Sequence, residues 1–141
     1  MNVIISRTDD AFQMKALNGA GKEVVMDASE QAGGQGSGVS PMEMVLMAIG
    51  GCSSIDIIDI LKKQKVRVAD LRVSVKGDRS ETVPKVFKKV EVSFEIDGDV
   101  PPSKALRAAD LSMEKYCSVS QMISKTADIS YKVLVNGEEI S

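Results

Sequence analysis

SPMEMVLMAIGGCSSIDIIDILKK, residues Ser40–Lys63, decides how the rest of the chain must be arranged. Ser40 is a good N-cap, Pro41 suits the first helical position, and Glu43 completes an S-x-x-E capping box. Lys62 and Lys63 put cations where the helix dipole is negative. The pattern predicts a helix that opens at Ser40 and runs through Lys63. Its first half, Met44–Ile49, is apolar all round, which predicts a helix buried on every side. Gly50 and Gly51 in its middle each cost about 1 kcal/mol relative to alanine. Close approach of another backbone would explain that cost. Cys52 follows directly.

Upstream, Asn2–Ile5 and Ala11–Leu17 read as strands joined by the polar turn Ser6–Asp10, and Lys22–Met26 reads as a third strand after Asn18-Gly19. Ser29–Val39, SEQAGGQGSGV, is a glycine-rich loop. Such a run can form a nest of backbone N–H groups for an anion. It carries no nucleotide-binding glycine motif, however, and reads as a flexible linker. Downstream, Leu71, Val73 and Val75 alternate with polar residues, as do Val90, Val92, Phe94 and Ile96, which predicts a β-hairpin connected by Gly77–Lys85. Pro101-Pro102 precede a helix over about 103–115. A second capping box, Ser118-x-x-Gln121, predicts a short helix to about Thr126. Ile129–Val135 reads as a last strand ending at Asn136-Gly137. The order βββ–α–ββ–α–α–β, without regular βα alternation, implies an α+β fold in a single domain, 1–141.

Composition excludes several functions. With 18 basic and 20 acidic residues the net charge is -2, which argues against general affinity for nucleic acid or acidic membranes. No uninterrupted apolar run approaches the ~20 residues of a membrane span. MNVIISRTDD lacks the features of a signal peptide, so a cytoplasmic location is the expectation. Histidine is absent, which removes Ser/His/Asp triads, Cys/His dyads and histidine metal sites. Two cysteines far apart in sequence do not make a zinc site, and neither a metal nor a cofactor is expected.

The two cysteines carry what chemistry the residues offer. In a reducing compartment they are either inert core residues or redox-active thiols. Cys52, inside a buried helix, has an ordinary reading as a small apolar core residue. Cys117 precedes the expected N-cap Ser118, where backbone N–H groups and the positive helix end can stabilise a thiolate. By local position, Cys117 is the better candidate for a lowered pKa. Its ordinary reading is a hydrophobic staple of the helix start.

Ser40–Leu61 resembles the central helix of the OsmC/Ohr family, with a cysteine after an apolar run opened by a Pro and a Glu. EKYCSVSQMI, Glu114–Ile123, resembles the second cysteine motif of that family. The YhfA-like branch is the nearest likeness. The resemblance implies an OsmC-like α+β fold and an intertwined homodimer. It implies a peroxidase in which Cys52 attacks an organic hydroperoxide and Cys117 resolves the sulfenic acid as a disulfide. A dithiol reductant, in some members a lipoyl protein, then restores the thiols. On this assignment Cys52 is the nucleophile, against the local argument for Cys117. In the peroxidases an arginine from the N-terminal sheet, paired with a glutamate near the start of the central helix, holds the thiolate. Here Met42 occupies the glutamate position and Glu43 lies one place later. Arg7 and Arg79 are the candidate arginines. The alternative function is a non-peroxidatic member of the same fold that binds a small apolar molecule at the dimer interface. Eight methionines would suit such a pocket, or an ordinary core.

Overall fold

The computed structural model describes residues 1–140. The chain forms two compact units, Met1–Val45 and the remainder from Leu46 onward. The first holds an antiparallel sheet in the order β1 (Val3–Arg7), β2 (Met14–Asn18), β3 (Glu23–Met26). Three strands form where the sequence places them, but β2 starts three residues later than Ala11. Asp9 accounts for the shift, because its Oδ1 accepts from the Ala11 and Gln13 N–H groups and holds those residues in a turn.

The glycine-rich loop is not a free linker. Asp27 is buried, and its carboxylate accepts from the N–H groups of Ala28, Gln35 and Ser37 and from the Ser37 hydroxyl. A short 3-10 turn, Glu30–Ala32, forms within it. These hydrogen bonds favour the charged carboxylate and hold Asp27 below the usual aspartate range, led by the Ser37 hydroxyl, against the opposing effect of burial.

Helix α1 spans Pro41–Lys63, with the expected capping box: Ser40 N donates to Glu43 Oε2 at 2.9 Å and Glu43 N to Ser40 Oγ at 3.2 Å. Within one chain it is buried along one stripe, Ile49, Gly50, Ser53, Ile57 and Leu61, rather than on every side. Met47, Ile55 and Ile58 are exposed. By length and hydropathy alone α1 could cross a membrane, even though Asp56 and Asp59 interrupt its apolar run. Its Ile49, Ile57 and Leu61 are fully buried in the chain's own core, so it is a core helix.

The second unit contains a four-stranded sheet, β4 (Asp70–Arg79), β5 (Phe87–Asp97), β6 (Asp128–Val135) and β7 (Glu138–Glu139) in that order. β5 pairs antiparallel with β4 and parallel with β6. A parallel pair needs a long crossover, here supplied by α2 (Pro102–Leu111) and α3 (Ser118–Ile123). Val90, Val92, Phe94 and Ile96 point into the core at period two. Ala105, Ala108 and Ala109 are the buried, small-residue face of α2.

β4 extends two residues beyond Gly77, which the sequence assigned to the connection. Gly77 pairs with Val90 in the ladder, and a side chain has no room there: a Cβ would meet the Phe87 ring at 2.6 Å and Leu46 Cδ2 at 2.9 Å. The close backbone approach expected at the glycine pair in α1 is not made by the described residues of this chain. A Cβ on Gly50 would lie 3.2 Å from Val75 Cγ2, a side chain of β4 rather than a backbone, and one on Gly51 would meet nothing within 4 Å among the described residues.

Candidate functional site: a dithiol beside a carboxylate

Helical spacing puts Cys52 and Asp56 on one face of α1, because residues four apart are neighbours. Cys117 reaches the same place by a different route. After Leu111 the helical ladder widens into a π turn, Ser112–Tyr116, in which Cys117 N–H donates to Ser112 O at 2.7 Å. Such turns free carbonyl groups. Two side chains from α3 serve them: Ser120 Oγ lies 3.0 Å from Met113 O, and Gln121 Nε2 donates to Glu114 O at 3.1 Å. The π turn thereby fixes where Cys117 sits.

Cys117 is extended and is itself the N-cap of α3; its Sγ accepts from Ser120 N–H at 3.4 Å. The expected Ser118–Gln121 capping box therefore does not form, and both of its members are helical. Both cysteines are free thiols, Cys52 half-buried and Cys117 fully buried. The Cys52 and Cys117 sulfurs and a carboxylate oxygen of Asp56 lie within 4.8 Å of one another. Ser112 Oγ, also fully buried, lies 3.0 Å from Asp56 Oδ2 and 3.4 Å from Ser53 O.

The electrostatics reverse the local expectation for Cys117. Burial pushes its thiol up, the Ser120 N–H draws it back, and the neighbouring Cys52 adds to the rise. A helix N-terminus can stabilise a thiolate, but here the amide and hydroxyl of Ser120 are outweighed by burial and by the second sulfur.

Asp56 was not singled out from the sequence, although the Cys52-x-x-x-Asp56 spacing was a signal that could have found it. It also lines a cleft of about 540 Å³ with Asp59, Lys63 and Tyr116. Glu43 is engaged in the capping box. Arg7 Nε donates to Ala11 O at 2.9 Å, and Arg79 Nε donates to Lys85 O at 2.8 Å. Each guanidinium is therefore anchored to its own turn.

Geometrically, the two sulfurs can form a disulfide. An S–S bond needs about 2.05 Å, and the two sulfurs, already within 4.8 Å of each other, approach it by side-chain rotation and backbone adjustment. With Asp56 the site also offers three donor atoms, a set that the two cysteines alone do not make.

A long core helix, a mixed four-stranded sheet and thiols brought together from helix and π turn define a small α+β dithiol protein. The family model described as OsmC-like protein matches residues 34–132, and the chain belongs to that family. Protein YhfA of Escherichia coli strain K12 is 41% identical over 118 residues, 82% of this chain and 85% of that protein. The crystal structure of a hypothetical protein from Aquifex aeolicus VF5 superposes with a TM-score of 0.79 at 31% identity, covering 96% of both chains. An organic hydroperoxide resistance protein from Legionella pneumophila shares the fold, with a TM-score of 0.69 at 17% identity over 94% of this chain and 96% of that one.

Proposed function

We propose that the protein is a thiol-dependent peroxidase that reduces organic hydroperoxides through Cys52 and Cys117. The observation that carries this reading is the approach of the two sulfurs to within 4.8 Å as free thiols. Cys52 is the more accessible of the pair and would be the attacking group. Its thiolate attacks the terminal peroxide oxygen, the O–O bond breaks, and the alkoxide leaves as alcohol after taking a proton. Cys52 becomes a sulfenic acid. Cys117 then attacks that sulfur, hydroxide leaves as water, and a disulfide remains. The Cys117 proton leaves with that hydroxide as water, and Asp56, whose carboxylate lies within 4.8 Å of both sulfurs, would relay it. An external dithiol, of which a lipoyl protein is one kind, returns both cysteines to thiols by exchange.

A cation must hold the Cys52 thiolate. Arg7 and Arg79 are the candidates, since each spends Nε on a backbone carbonyl and a guanidinium has further donors. Glu43, beside Met42, would orient such an arginine. The working unit in this reading is a homodimer of one-domain chains in the cytoplasm. Met47, Ile55 and Ile58 on α1 are exposed in the single chain and support an interface. Stable obligate dimers bury about 2,000 Å² or more. The same exposed side chains favour the second reading, a non-enzymatic binder of a small apolar molecule at that interface.

Consumption of cumene hydroperoxide and of hydrogen peroxide with a dithiol reductant separates the two readings. A peroxidase turns over the organic substrate faster, and Cys52→Ser abolishes the activity. A wild-type rate no greater than that of the reductant alone would leave the binding role.

A further inference from the structure

Cys52, Asp56 and Cys117 come from two segments 61 residues apart at Asp56 and Cys117, yet their donor atoms form one compact triangle. Two features go beyond what a disulfide requires. The third donor is a carboxylate, which takes no part in an S–S bond. Two of the three donors are also steadied from behind, Asp56 by the Ser112 hydroxyl and Cys117 by the Ser120 N–H. Hydrogen bonds of that kind orient ligands around a metal ion.

We propose that the reduced site binds one thiophilic divalent cation of the zinc or cadmium class through Cys52 Sγ, Cys117 Sγ and one Asp56 carboxylate oxygen. Zinc sits about 2.3 Å from sulfur and about 2.0–2.2 Å from carboxylate oxygen in a tetrahedral set. Donors within 4.8 Å of one another reach that arrangement by closing about an ångström. The fourth position belongs to water, which Asp56 can admit from the cleft it shares with Asp59, Lys63 and Tyr116. Two thiolates select such ions over magnesium or calcium, which prefer all-oxygen sites. Binding releases the two thiol protons to buffer and oxidises nothing. It occupies both sulfurs, so the bound ion and the Cys52–Cys117 disulfide exclude each other.

The test is a titration of the reduced full-length protein with Cd²⁺ alone, without peroxide, followed by the ultraviolet sulfur-to-cadmium charge-transfer band. The expected result is saturation at one ion per chain, with the band intensity of two Cd–S bonds. Excess Mg²⁺ should not displace the ion, and protein oxidised to the disulfide should not bind. Asp56→Asn should keep the band and weaken affinity at least tenfold, while Cys52→Ser and Cys117→Ser each leave one Cd–S bond and lose saturation. Cadmium-113 resonance of the wild type gives a reading that needs no variant: a shift for two sulfurs with oxygen completing the set. No saturable band, a shift for sulfur ligands alone, or an Asp56→Asn affinity equal to wild type would each overturn the proposal. Because no peroxide enters the experiment, its failure leaves the peroxidase reading standing, and the converse also holds.

Discussion

Replacing Ser112 by alanine removes one hydrogen bond from the site while keeping the turn that delivers Cys117. The Cys117 N–H is held by the Ser112 backbone carbonyl, which alanine retains. The hydroxyl, 3.0 Å from Asp56 Oδ2, is lost. A hydrogen bond to a charged group contributes about 1.5–3 kcal/mol. Asp56 is only half-buried and can recruit water, so the lower end applies, about 1.5 kcal/mol. For a chain of this length that corresponds to roughly 3–6 °C in Tm. Urea unfolding at pH 7 of the wild type, Ser112→Ala, Asp56→Ala and the double variant isolates the pair. The expected coupling energy is about 1–2 kcal/mol. A coupling below about 0.5 kcal/mol, within the error of additivity, would refute the claim that Ser112 fixes the carboxylate beside the thiols.

Gly77→Ala should destabilise by about 1–3 kcal/mol, the usual cost of overpacking, because its Cβ would fall 2.6 Å from the buried Phe87 ring. Gly77→Ala with Phe87→Leu should be less destabilised than the sum of the two variants, as read by denaturant midpoints. Asp27→Asn should loosen the Ala28–Ser37 loop, increasing its proteolysis or amide exchange. Because the folded-state pKa of Asp27 is depressed, its carboxylate contributes stability above the unfolded aspartate value of about 3.9 and loses it as pH falls through the lower folded value. Wild type should therefore lose the Asp27→Asn difference only in acid, as measured by unfolding at pH 7 and below pH 4.

Much of the architecture could be read because its signals are local. The Ser40–Glu43 capping box, the Lys62-Lys63 end and the period-two run from Val90 to Ile96 depend on nearest neighbours, and all three appear where expected. What the sequence missed depended on distant partners. The depth of burial of Cys117 comes from the assembled core and outweighs the helix-end effect at its thiol. Ser118 resembled an N-cap, but the π turn moved the cap to Cys117. The glycine-rich segment looked like a linker because nothing near it in sequence announces that Asp27 gathers its amides. Asp56 stood in view on the helix but acquired meaning only when Cys117 arrived beside it. The first half of α1, Met44–Ile49, is apolar all round and predicts burial on every side. One chain covers only a stripe of the helix, which leaves Met47, Ile55 and Ile58 exposed.

The most direct measurement of the central claim is a single turnover of the reduced protein with one equivalent of cumene hydroperoxide. The reaction is quenched with a thiol-alkylating reagent and the peptides are read by mass spectrometry. The account predicts that the wild type loses both free thiols and yields a peptide pair joined Cys52–Cys117. It predicts that Cys117→Ser stops with an oxidised Cys52, and that Cys52→Ser keeps Cys117 reduced. Wild-type protein that retains both thiols, or a Cys52→Ser variant that oxidises as fast as the wild type, would contradict it.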